Sequence, residues 1–128
     1  MQKLNIAILS YRSARFGGGQ GVYIRDISFA LSLMGHRVDV ISGPPYPELH
    51  NGVKLIELPG LNLFETFSFR DRLNTVSKIL ERPEKIDYLI VETTGLADPL
   101  PVAMTFAGGD LRKKVRLDSI ITLVDADN

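Results

Sequence analysis

Three short stretches carry residue types that can do chemistry. Gly17-Gly18-Gly19-Gln20-Gly21 precedes an apolar helical pattern. Glycines at such a place let backbone N–H groups turn toward a ligand, and the helix start that follows favours an anion. Gly18, Gly19 and Gly21 are therefore candidate phosphate or sugar-phosphate contacts. The spacing fits neither the dinucleotide fingerprint nor a P-loop, because no Lys-Ser or Lys-Thr follows. The plainer account, a surface loop, stays open. The second stretch is Glu92-Thr93-Thr94-Gly95-Leu96-Ala97-Asp98-Pro99, after an apolar run. A carboxylate and hydroxyls there can hold Mg²⁺ through waters, and Gly95 lets the backbone approach a phosphate. Glu92, Thr93 and Gly95 are the candidates. Against that stands Asp98 as an ordinary helix cap before Pro99, with the threonines merely ending a strand. The third stretch, Asp125-Ala126-Asp127, is either a metal or nucleotide contact or a pair of solvated acids.

Other groups offer less. His36 and His50 lack acidic or histidine partners at ligand spacing and read as surface histidines. No Ser-His-Asp arrangement can be built. Arg112, Lys113, Lys114 and Arg116 form a solvated basic face, or a weak phosphate contact.

The elements that must position these residues follow from the periodicity. Residues 4–9, 37–42, 53–58, 86–91 and 119–124 are apolar runs of strand length, which suits strands buried on both faces. Ile24, Ile27, Leu31 and Met34 recur at helical spacing within a helix expected over 22–34, which Gly35 stops. Ser68 and Asp71 have capping-box spacing ahead of a helix through Leu80, and Pro83 ends it. A further helix is expected from Pro99 to Phe106. Gly43-Pro44-Pro45-Tyr46-Pro47 is a loop. The order β-α-β-β-α-β-α-β predicts a three-layer α/β domain: a Rossmann-like or P-loop-like sheet of about five mainly parallel strands, with helices on both faces.

Composition narrows the function classes. The chain has 128 residues, 15 Lys+Arg balancing 15 Asp+Glu, and no cysteine. One domain, 1–128, is the natural count. Thiol catalysis, disulfides and thiolate metal sites are excluded. The balanced charge gives no nucleic-acid footprint. No apolar run approaches the roughly 20 residues that span a bilayer. No signal peptide is read, so the expectation is a cytoplasmic protein with no membrane partner.

Two family resemblances share the chain. Residues 1–64 resemble the N-terminal domain of nucleotide-sugar glycosyltransferases built from two Rossmann domains. The carriers are Ile6-Ala7-Ile8-Leu9-Ser10-Tyr11-Arg12, the glycine loop through Tyr23, and the run from Leu33 through Gly35-His36-Arg37-Val38 to Pro47. That likeness implies a mainly acceptor-binding domain, with the glycine loop facing the donor's phosphates. Residues 73–128 resemble the middle of a CobW-type metallochaperone GTPase, through Leu80 to Ala103 and Arg116 to Ala126. There Glu92-Thr93-Thr94-Gly95-Leu96-Ala97-Asp98-Pro99 matches the Walker B and switch II region. The likeness implies that Glu92 assists Mg²⁺ and the hydrolytic water and that Gly95 senses the γ-phosphate.

The departures limit both. The sequence has no Walker A loop, no Cys-x-Cys-Cys metal motif, no Asn-Lys-x-Asp and no donor-binding domain. The resulting expectation is a hybrid of two half-domains, 1–64 and 73–128, with a seam at about 61–73. It would be a nucleotide-binding-type domain without a complete active site. Mg²⁺ with GTP, or a nucleotide sugar, is implied only by resemblance. The alternative is a fragment of a glycosyltransferase or of a GTPase that needs further segments. Exposed Phe64, Phe67 and Phe69 would supply a self-association surface.

Overall fold

The computed structural model describes residues 2–10, 18–59, 76–93, 98–124 and 126. Among these residues four strands form one sheet: β1 (Asn5–Ser10), β2 (Arg37–Ser42), β3 (Lys54–Glu57) and β4 (Tyr88–Glu92), in the order β3-β2-β1-β4. All three pairings are parallel. Helix α1 (Gly18–Leu33) connects β1 to β2, residues 76–80 are helical ahead of β4, and α2 (Leu100–Ala107) follows β4. A 3-10 turn, Gly109–Lys113, comes after α2.

The apolar runs become strands because both faces of the sheet are covered. Ile6, Ile8, Val38 and Val40 pack under Ile24 of α1, joined by Ile27, Leu31 and Leu55. On the opposite face Ala7, Leu9 and Ile41 pack against Ile79, joined by Ile56, Leu89 and Val91. Continuous hydrophobicity along β1 is the pattern a two-sided parallel strand requires. Gly35, at φ +89, takes the left-handed conformation that ends α1.

Three expectations change. Helix α1 starts at Gly18 rather than 22, so Gly18, Gly19 and Gly21 sit in its opening turns rather than in a loop. Met34 is 51% exposed and does not complete the apolar stripe. The fifth strand is absent among the described residues: 115–124 have no regular structure, and 119–124 are exposed. A β-branched run has the propensity of a strand, but pairing makes one. Both edges of β1 are taken, by β2 and β4, and 119–124 do not pair with the outer edge of β4.

A buried ion pair fastens the approach to β4. Asp39 of β2 points to the helix 76–80 side and receives a hydrogen bond from Arg82 Nη2 at 2.8 Å, with side-chain exposures of only 11% and 16%. Arg82 Nη2 also lies 3.5 Å from Glu84, and Arg37 lies 3.8 Å from both Asp39 and Glu84. Asp39 Oδ1 and Arg82 Nη1 are buried and have no hydrogen-bond partner among the described residues. Such a pair is costly to bury and costlier to break, because a lone partner keeps its desolvation penalty. At the same end of the sheet, Asp87 accepts the Asn5 N–H at 2.9 Å, and its own N–H donates to Asn5 O at 2.8 Å.

Arg82→Ala is expected to destabilise the chain by about 3 kcal/mol. Asp39→Val combined with Arg82→Met should recover most of that loss. Urea unfolding at neutral pH checks both, and a single transition is expected because the pair ties residues from the two sequence halves.

Candidate functional site

The strand order marks one place for a ligand. From β1 the chain moves outward to β2 and β3, whereas β4 lies on the other side of β1. Ligands of open parallel sheets sit beyond the carboxyl ends of the strands where the order reverses, here between β1 and β4. The register pairs the last residues of these strands, Ser10 and Glu92. The Ser10 hydroxyl donates to Glu92 Oε2 at 3.2 Å. Ser10 is fully buried and Glu92 half-buried.

Burial pushes the Glu92 carboxyl above its ordinary value of 4.5, and the Ser10 hydroxyl opposes the rise. Withdrawing a carboxylate from water disfavours its charged form, and a neutral donor repays only part of that. A cationic ligand group or a metal ion beside Glu92 would restore the charge.

Thr93 follows Glu92 directly and is half-buried. The start of α1 belongs to the same edge, because α1 leaves the carboxyl end of β1 and returns to the beginning of β2. Its opening residues Gly18 and Gly19 present backbone N–H groups that lack partners inside the helix, and Gly21 follows in the same turn. A Cβ built on Gly19 meets nothing within 4 Å among the described residues. The described part of the fold therefore does not require glycine at that position.

The structure thus brings together Glu92 and Thr93 at the end of β4, and it puts the glycines at the helix start beyond β1. Gly95, Thr94, Asp125, Asp127 and the three connector phenylalanines lie outside the described residues, as does the seam. Asp98 does cap α2, one residue further out than expected: its Oδ1 accepts the Leu100 N–H at 2.9 Å. His36 accepts the Leu4 N–H at 3.3 Å, and His50 stacks on Phe29 with centroids 4.3 Å apart. Both serve the fold. Arg112, Lys113, Lys114 and Arg116 are exposed, and two of them pair with Asp110 and Asp118. Ser10 is the residue that the sequence reading passed over. Its signal was its place as the first polar residue after an apolar strand, which only the register with Glu92 turns into a site.

No group of three or more His, Asp or Glu side chains able to hold a metal ion occurs among the described residues. Mg²⁺ does not need one, since it arrives with phosphates and uses one or two carboxylates. Glu92 fits that role. No helix among the described residues is long and apolar enough to cross a membrane.

Comparison with known proteins divides along the chain. Residues 67–128 match the nucleotide-binding domain of the CobW/HypB/UreG family. An MMP alpha-(1->4)-mannosyltransferase of Mycolicibacterium hassiacum is 42% identical over 98 residues, covering 75% of this chain and 23% of that protein. The zinc chaperone CobW of a Sinorhizobium species is 41% identical over 56 residues, 44% of this chain and 16% of its own length. The zinc-regulated GTPase metalloprotein activator 1 of Schizosaccharomyces pombe is 39% identical over 57 residues, 44% of this chain and 14% of its own. The chain thus spans less than a quarter of each of these relatives. A likeness over three quarters of the chain cannot fit ahead of residue 67, so the mannosyltransferase match runs into the CobW-like region. The chain is a hybrid in its resemblances: glycosyltransferase-like and CobW-like stretches meet in one α/β sheet.

The Glu92 carboxyl makes stability depend on pH. Its folded value is raised, so the native state holds the proton more tightly than the unfolded chain between pH 4.5 and that raised value. Stability contributed by this group therefore falls as pH climbs through that window. Glu92→Gln is expected to melt higher than the parent at pH 7, and the advantage should vanish below about pH 4.5. Melting temperatures measured from pH 4 to 8 test this.

Proposed function

We propose that the crevice beyond β1 and β4 binds the phosphate and sugar portion of a nucleotide, without a complete catalytic apparatus in this chain. The observation that carries the reading is the Ser10–Glu92 hydrogen bond at the point where the strand order reverses. The glycine-rich start of α1 supports it, since helix N-termini stabilise phosphate through backbone donors and the helix dipole. The names of the relatives support it too: a zinc-regulated GTPase metalloprotein activator and a zinc chaperone on one side, a mannosyltransferase on the other.

In this reading Gly18, Gly19 and Gly21 let phosphate oxygens approach the α1 backbone. Glu92 and Thr93 receive Mg²⁺ or a ligand hydroxyl, and Gly95 admits the phosphate to the backbone of the adjoining loop. Ser10 positions the carboxylate of Glu92. Phosphoryl transfer needs a cradle for the β and γ phosphates, a held Mg²⁺ and a placed water together. The sequence contains no Walker lysine to complete that cradle, so binding without turnover is the expected behaviour. A cytoplasmic setting, where nucleotides and Mg²⁺ are plentiful, belongs to the same proposal.

A second reading is a segment of a larger glycosyltransferase or GTPase whose other parts complete the site. The small share of each relative that the chain spans favours it.

Calorimetric titration with GTP, GDP and UDP-glucose, each with and without Mg²⁺, separates the possibilities. Binding of at least one nucleotide is expected. Glu92→Gln should weaken the Mg²⁺-dependent part roughly tenfold, about 1.4 kcal/mol. Gly19→Val should weaken binding while leaving the melting transition intact, because a Cβ at Gly19 meets open space. Equal affinity of Gly19→Val and parent removes the glycines from the site. Multiple turnover of any nucleotide overturns the non-catalytic reading.

A further inference from the structure

One chain carries two unsatisfied surfaces of matching kind. The first is β4, the outer strand of the sheet among the described residues, whose far edge has no strand beside it. Tyr88 and Ile90 stand in parallel register with Ile6 and Ile8, so their side chains face the α1 side of the sheet. Helix α1 covers Ile6, Ile8, Val38 and Val40, yet Tyr88 remains 50% and Ile90 41% exposed. The second surface is the segment Ser119-Ile120-Ile121-Thr122-Leu123-Val124. It has strand length and a β-branched composition, but no regular structure. Ile120, Ile121, Leu123 and Val124 are 53%, 82%, 77% and 80% exposed.

An open, apolar edge and an unpaired apolar strand former are each a hazard in water. Among the described residues neither covers the other, and a second copy offers a partner to both at once. We propose that this face is a self-association surface: residues 119–124 of one copy add as a strand to the β4 edge of another, and the exchange is reciprocal about a two-fold axis. A reciprocal exchange closes, because each copy offers one strand and one edge and none is left over. The area is adequate. Leu117 with the four apolar residues of the segment, plus Tyr88 and Ile90, contributes seven large side chains at roughly 100 Å² apiece. That approaches the ~800 Å² per partner of a stable interface.

Light scattering after gel filtration tests the assembly on the full chain. The parent should show the mass of two chains across micromolar concentrations. Ile121→Asp and Ile90→Lys should each show the mass of one chain. Both sites are exposed in the single chain, so far-UV circular dichroism should confirm that the variants still fold. The absence of native cysteines adds a direct assay. Ile90→Cys and Ile121→Cys copies, mixed and oxidised, should yield a disulfide-linked pair containing one of each. A parent of single-chain mass, species of indefinite size, or an Ile121→Asp variant that still dimerises each overturns the proposal. So does a bridge that forms only within a chain carrying both cysteines.

Discussion

The pairing of β1 with β4 is the constraint from which the rest follows. It joins residue 5 to the region of residue 87, across the stretch where the two family resemblances meet. It sets Ile6 to Ser10 against Tyr88 to Glu92. The pairing places Leu89 and Val91 over the same core as Ala7, Leu9 and Ile79. It also closes the second edge of β1, which leaves residues 119–124 no place beside the central strand. The ion pair of Asp39 with Arg82 and the hydrogen bonds between Asn5 and Asp87 hold the opposite end of the same junction. Hydrophobic cover on both faces supplies the stabilisation, and these polar contacts fix the register.

The same pairing makes the site. Ser10 and Glu92 are distant in sequence, and of the two only Glu92 lies in the CobW-like stretch. A parallel ladder aligns their strand ends and puts a hydroxyl against a half-buried carboxyl. A carboxyl held away from water, at a point where parallel sheets receive ligands, is poised to gain from a cation or from a ligand donor. The physical account of function therefore rests on topology, because neither half presents this pair alone.

Most of the fold was legible in the sequence because it depends on short-range pattern. The apolar runs at 4–9 and 37–42 suited strands buried on both faces, and Gly35 marked the end of α1. The errors came where local pattern meets tertiary competition. Residues 119–124 have every propensity of a strand and lack a partner among the described residues. The glycines at 18, 19 and 21 suggested a loop, yet the helix extends back through them. Met34 followed the spacing of the apolar stripe but fell beyond the end of α1 and stays half exposed. Glu92 and Thr93 were readable as polar residues ending an apolar run. Ser10 had the same signature, but its role depends on a register that no local pattern encodes.

The central claim is that the β1–β4 junction builds a nucleotide-phosphate site. Backbone amide shifts of the labelled protein, followed during titration with GDP and Mg²⁺, test it most directly. The account predicts that the amides of Ser10, Gly19, Glu92 and Thr93 shift together and saturate with one affinity, while those at the opposite end, such as Asn5 and Asp87, stay in place. Saturating shifts confined to other surfaces, or none at any nucleotide concentration, would contradict it.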